Sequence, residues 1–310
     1  MFRPDERCRF ALLAVGSYCP TRDLGQPFEV MPGVRYFPRH ELALPDEWSR
    51  TLGSLWCDEF REASLCLLAK EPVAPGELAY SGCSTSAKRL LDFHFCFQLL
   101  GLRCQGELRV VSGGWSEGVI GISALRRDRF LAVDKAEHWA VTSADLRLAS
   151  AMLRGWDRLY ADKGKWVKLK SGLHALAKAF REDYLDFKLH HYVQALDAVV
   201  SLESGQGWRE FADRSETFVC QRGNAHTRLG MMYRMRGKVE HLEGWTKPLG
   251  GRVRDKESAA VEYLWQVENL ALFVYRRLLL VPRLLDEFVD ETTTRSFWRS
   301  QTAIRRRKWG

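Results

Sequence analysis

The chain has no long apolar run. Its best candidate, Leu270 to Val281, is interrupted by Arg276 and Arg277 and falls short of the ~20 residues that a spanning helix needs. No secretory leader is legible, because Phe10 to Val15 is short and follows Asp5, Glu6, Arg7 and Arg9. A membrane partner is therefore not expected. Close cysteine pairs are also missing. Cys8, Cys19, Cys57, Cys66, Cys83, Cys96, Cys104 and Cys220 include no C-x-x-C spacing, the spacing from which zinc sites are commonly built. Scattered thiols of this kind pack as small hydrophobes in a reducing compartment. The expectation is a cytoplasmic protein with no metal and no other cofactor. Gly113-Gly114-Trp115-Ser116-Glu117-Gly118 lacks Walker or Rossmann spacing and reads as a turn, and Ser81 to Ser86 lacks a hydrolase elbow.

What is present is a soluble, folded composition with a basic surplus. Hydrophobic residues make up 46% and charged residues 28%, and 47 Lys and Arg against 39 Asp and Glu leave a net charge of +8. That sign suits a polyanionic partner such as RNA without demanding one.

The pattern changes near residue 140. Before it, short apolar runs are separated by Gly, Pro and Ser: Phe10–Val15, Val34–Phe37, Leu65–Ala69, Phe93–Leu100, Leu108–Ser112 and Phe130–Val133. Residues 1–140 are expected to form a strand-rich mixed domain. Residues 141–310 read as helical. Leu189, Val193, Leu196 and Val200 repeat at helical spacing, as do Leu264, Val267, Ala271, Val274, Leu278 and Val281, with Pro282 as a stop. Lys163–Lys170 reads as a basic linker, and His190-His191 as ordinary helix surface. The fold class is α+β, with the second domain an all-α up-and-down bundle.

Two segments carry candidate chemistry. Arg305, Arg306, Arg307 and Lys308 lie near Trp298 and Trp309, a mixture able to hold a sugar-phosphate backbone and stack bases, or to form a frayed, solvated segment. Upstream, Arg236 and His241 stand five apart in Tyr233-Arg234-Met235-Arg236-Gly237-Lys238-Val239-Glu240-His241. A guanidinium keeps its proton and can hold a phosphate, whereas an imidazole titrates near neutrality and can move one. Five residues are ~140° of a regular helix, so the two share a face only if the helix distorts near Gly237 or a second subunit completes the cleft. The plainer reading is a local bridge by Arg236 and a helix-end cation at His241. Asp197 either orients Arg236 across the bundle or belongs to a buried polar network.

The segment from Met232 to His241 is similar to the pattern Y-x-x-R-S-x-x-x-H, with Gly237 where a small polar residue is usual. Tyr192 to Val200 looks like an "ALE-x-L" helix with Asp197 in place of Glu, and a short helix with Phe211 and Phe218 and a long apolar helix from Glu257 to Val281 accompany them. In these features much of residues 145–281 resembles the Apea-like branch of the HEPN superfamily of helical ribonucleases and nucleotide-binding proteins. The resemblance implies a HEPN-like homodimer that joins two R-x4-H sites in one cleft. Arg236 and His241 would be its catalytic pair, supported by Asp197, Tyr233 and Lys238. The implied activity is metal-independent endoribonuclease cleavage of RNA by 2′-hydroxyl attack, in a prokaryotic antiviral defence or toxin setting. A trigger ligand or protein would act on the first domain. The alternative is a non-catalytic module that binds RNA, a nucleotide or a protein, with Gly237 marking lost activity.

Overall fold

The computed structural model describes residues 3, 6–16, 21–38, 41, 44, 46–74, 77, 85–101, 106–116, 118–130, 140–200, 207–219, 224–251 and 253–310. The chain divides into two compact units, Met1–Ala151 and Met152–Gly310. The first holds the sheet together with helices and the second is helical, so the α+β class holds.

The first unit is built on a six-stranded antiparallel sheet of order β2-β3-β4-β1-β5-β6. The strands are β1 (Arg7–Val15), β2 (Phe28–Met31), β3 (Val34–Phe37), β4 (Leu65–Pro72), β5 (Gly106–Ser116) and β6 (Val119–Phe130). β1 is central and apolar at nearly every position, because both of its faces are covered. Phe10, Leu12 and Ala14 share a core with Trp48 of α1 (Asp46–Leu52) and with Cys57 and Phe60 of α2 (Ser54–Glu62). Ala11, Leu13 and Val15 are buried on the opposite side, and α3 (Thr85–Gln98) packs on β1, β4 and β5.

Two expectations are corrected here. Phe93–Leu100 is not a strand: Phe93 to Gln98 closes α3, where Leu90, Phe93 and Phe97 repeat at helical spacing on a buried face. Gly113-Gly114 is not a turn but lies inside β5. The β5–β6 register shifts there, and a Cβ at Gly113 would collide with the backbone carbonyl of Gly121. Glycine permits that close approach. Cys8, Cys57, Cys66 and Cys96 are buried; burial pushes the Cys8 and Cys66 thiols up to about 12, so neither is a ready nucleophile. Cys19, Cys83, Cys104, Cys220, Ser81 to Ser84 and residues 131–133 lie outside the described residues.

The unit boundary falls within α4 (Ser143–Ala161). After it come α5 (Val167–Arg181), α6 (Leu185–Val200), α7 (Gly207–Ser215), α8 (Ala225–Glu240), α9 (Lys256–Leu280), α10 (Pro282–Leu285), α11 (Glu291–Arg299) and α12 (Thr302–Trp309). α6 is the hub, packed against α5, α7, α8 and α9. The stripes on α6 and α9 are buried along their length, and the Tyr275 hydroxyl of α9 donates to the Ala195 carbonyl of α6 at 2.8 Å. α5 and α6 form a hairpin, α8 runs against α6, and α9 runs with α6, so these four alternate in direction. Pro282 opens α10 and ends the long helix, as expected. At Gly155 a Cβ would strike the backbone of Leu279, so α4 and α9 touch main chain to main chain. Among the described residues no helix is long and apolar enough to cross a membrane.

The Lys163–Lys170 linker is shorter than its charge pattern suggests, because α5 begins at Val167 and carries Lys168 and Lys170. The connection is anchored by Trp166, whose indole donates to the Leu285 carbonyl at 3.0 Å.

Candidate functional site

α8 buries Leu229, Met232, Met235 and Val239. Arg236 follows Met235 and so lies at the edge of that stripe, against α6. Its Nη1 is 3.2 Å from Asp197 Oδ2, and its Nη2 is 2.7 Å from Glu240 Oε1. The guanidinium lies over the Tyr233 ring at 5.2 Å, and that ring packs on Phe211 of α7 at 5.1 Å. A flat cation fixed by two carboxylates and an aromatic face has little rotational freedom. The same Glu240 oxygen lies 4.0 Å from His190 Nδ1.

This cluster is only slightly open to water, with the side chains of Arg236 and Asp197 16% and 20% exposed. Burial pushes the Asp197 carboxyl up to about 6; Arg236 opposes that rise and Glu240 adds to it. Burial and then the Arg236 charge hold the His190 imidazole below its usual range. Burial, followed by the Asp197 charge, raises the Tyr233 phenol. Asp197 Oδ1, Arg236 Nε and His190 Nδ1 are all buried without a hydrogen-bond partner. Three such atoms in one cluster represent hydrogen-bonding capacity that water or a bound group would satisfy.

The remaining residues singled out from sequence lie elsewhere. α8 is unbroken through Gly237 and ends at Glu240, so the distortion considered near Gly237 does not occur. A Cβ at Gly237 would meet nothing within 4 Å. His241 caps the helix with its backbone N–H, which donates to the Gly237 carbonyl at 3.3 Å, and its side chain is exposed. Among the described residues its ring has no polar partner. Within one chain the structure thus does not join His241 to Arg236. Lys238 turns to Glu243 at 3.1 Å, and hydrogen bonds from Lys247 and then Lys238 hold the Glu243 carboxyl below its usual range.

The basic segment is neither frayed nor a stacking platform. It is helix α12, with Trp309 2% exposed and packed on Phe218 at 4.4 Å. Trp298 is likewise buried, and its indole donates to the Val199 carbonyl at 3.1 Å. Arg305 is spent internally, donating to the Trp298 carbonyl at 2.9 Å and lying over that ring. Lys308 pairs with Glu287 at 2.6 Å. Arg306 and Arg307 are exposed cations of the segment.

Sequence reasoning missed His190 and Glu240. His190-His191 is half-buried rather than ordinary surface, and its rings lie 5.2 Å apart. The signal was available: His190 precedes Asp197 by seven residues, which returns to the same helix face, and Glu240 follows Arg236 by four. Among the described residues no group of three or more His, Cys, Asp or Glu could hold a metal ion.

Comparison with family models, with curated proteins and with solved structures gave no match.

Proposed function

We propose that the chain is a metal-independent endoribonuclease whose site is completed by a second copy of itself. The observation that carries this reading is the division of labour around Arg236. Asp197 fixes one guanidinium nitrogen and Glu240, the last residue of α8, holds the other, while the next residue, His241, is exposed. An immobilised cation from one copy and an exposed imidazole from the other suit attack by the 2′-hydroxyl of RNA. His241 of one copy would take the 2′-hydroxyl proton as the O2′–P bond forms. Arg236 of the other would stabilise charge on the phosphoryl oxygens as the P–O5′ bond breaks. The products are a 2′,3′-cyclic phosphate and a 5′-hydroxyl, the leaving oxygen taking up a proton from solvent. Resemblance to the HEPN superfamily supports the same assignment and a homodimer. It also suggests a cytoplasmic role in prokaryotic defence or toxicity, with the first unit sensing a trigger. Exposed Arg306 and Arg307 would add affinity for the RNA backbone.

A second reading rests on a specific observation. With Asp197 and Glu240 both ionised, the two carboxylates outweigh the charge of Arg236, which opposes phosphate binding. That balance favours a non-catalytic module in which Arg236 braces α6 against α8. Incubation of the protein with mixed single-stranded RNAs in EDTA separates the two. Cleavage lost in both Arg236→Ala and His241→Ala supports the nuclease. Cleavage that survives both substitutions refutes it, and RNA binding without cutting supports the module.

A further inference from the structure

We propose that Arg236 and His190 form a binding site for a phosphoryl group, and that the Glu240 carboxylate occupies it in this state as an internal stand-in. The proposal rests on the nuclease reading only for the identity of the anion as an RNA phosphodiester; the site itself is read from geometry. One oxygen, Glu240 Oε1, is shared between a guanidinium nitrogen at 2.7 Å and an imidazole nitrogen at 4.0 Å. Carboxylate and phosphate oxygens present the same acceptor to the same donors, and a planar guanidinium accommodates either. Glu240 is the last residue of α8, and its side chain is 37% exposed, so it can swing into solvent without unpacking the core. Arg236 and His190 are fixed on two packed helices and would stay behind.

The donors that Glu240 uses incompletely are those an incoming anion would take. His190 Nδ1 and Arg236 Nε are buried and without hydrogen-bond partners. A phosphoryl group offers more acceptor oxygens than the one carboxylate oxygen that now lies between Arg236 Nη2 and His190 Nδ1. Asp197 does not compete for the same position, since it engages Nη1 rather than Nη2. The charged groups around His190 are Arg236 and Glu240 of α8, His191 of its own helix and Lys178 of α5. With Glu240 displaced, the anion faces the Arg236 guanidinium and the His190 imidazole, opposed by the Asp197 carboxylate on Nη1. Protonation of Asp197 below about 6 removes that opposition.

The test uses the full chain and two probes: inorganic phosphate, followed by calorimetry, and a labelled single-stranded oligonucleotide with 2′-O-methyl riboses, which cannot be cleaved. Glu240→Gln keeps the side-chain shape and removes the competing charge. It is expected to bind the oligonucleotide roughly tenfold more tightly than the unmodified chain. Glu240→Ala, the second variant, is expected to do the same. The gain should disappear when His190→Gln or Arg236→Ala is added to Glu240→Gln. Binding of both probes identifies a general phosphate site; binding of the oligonucleotide alone identifies one shaped for a phosphodiester. Nuclear magnetic resonance of the unmodified chain provides a readout free of substitutions, in which the His190 imidazole signals should move on titration with phosphate. Unchanged affinity in both Glu240 variants, a gain that survives His190→Gln, or unmoved His190 signals would overturn the site. Because no probe is cleaved, these results stand apart from the nuclease assay: loss of the nuclease reading leaves an anion site, and loss of the anion site leaves Arg236 and His241 to be judged by cleavage.

Discussion

Asp197→Asn should make the protein more stable at neutral pH, and the size of the gain follows from the burial of one carboxyl. In the unfolded chain Asp197 titrates at an ordinary aspartate value near 3.8, and in the folded chain burial raises that to about 6. The folded state therefore holds its proton more tightly over that window. Stability falls as pH rises wherever the native state binds more protons than the unfolded state. The group's penalty is absent below 3.8, grows up to about 6 and is fully present above it. The difference between 3.8 and about 6, at 1.36 kcal/mol for each tenfold change in proton affinity, amounts to about 3 kcal/mol. Asparagine copies the shape and neutrality of the protonated acid but cannot ionise. Urea unfolding of both proteins from pH 4 to 8 reads the difference directly, through midpoints at constant slope. The stability of Asp197→Asn relative to the unmodified chain should rise with pH by about 3 kcal/mol and level off above pH 6 to 7. A difference that stays flat across the range would show Asp197 ionised throughout. A gain that instead falls with pH would mean that Arg236 stabilises the carboxylate more than burial penalises it.

Other consequences follow from the packing. Gly155→Ala drives a Cβ into the backbone of Leu279 and should cost about 1–3 kcal/mol in thermal or chemical unfolding; a neutral result would refute the close contact of α4 with α9. Trp309→Ala removes a nearly fully buried ring from its place on Phe218 and Phe273 and should cost about 3–5 kcal/mol, whereas a frayed segment would lose nothing. Arg306→Glu with Arg307→Glu should leave the unfolding midpoint unchanged and lower the salt dependence of RNA binding by about two counterions; an unaltered salt slope would remove α12 from the interface.

Much of the fold was legible because burial imposes a period on the sequence. The α6 and α9 stripes, the stop at Pro282 and the strands around Phe10, Val34, Leu65 and Leu108 follow from local pattern alone. Phe93–Leu100 misled because a short apolar run has no period of its own, and only Ala87 and Leu90 upstream show that it closes a helix. Gly113-Gly114 misled because the demand for glycine comes from Gly121 on the neighbouring strand, which no local reading contains. The basic segment misled because its tryptophans are buried by Phe218 and Phe273 from distant elements. The candidate site divided in the same way. Arg236 and Asp197 stood out as polar residues beside apolar stripes, and the structure pairs them. His190 and Glu240 looked like ordinary polar positions until α6 and α8 were set side by side, because the spacing within each helix does not reveal its partner.

RNA cleavage in EDTA by the intact chain, by Arg236→Ala, by His241→Ala and by an equimolar mixture of the two variants tests the central claim most directly. A composite site predicts activity in the intact chain and none in either variant alone. It predicts partial recovery in the mixture, where exchange of subunits assembles one unaltered Arg236 opposite one unaltered His241. Cleavage undiminished in both variants would contradict the account.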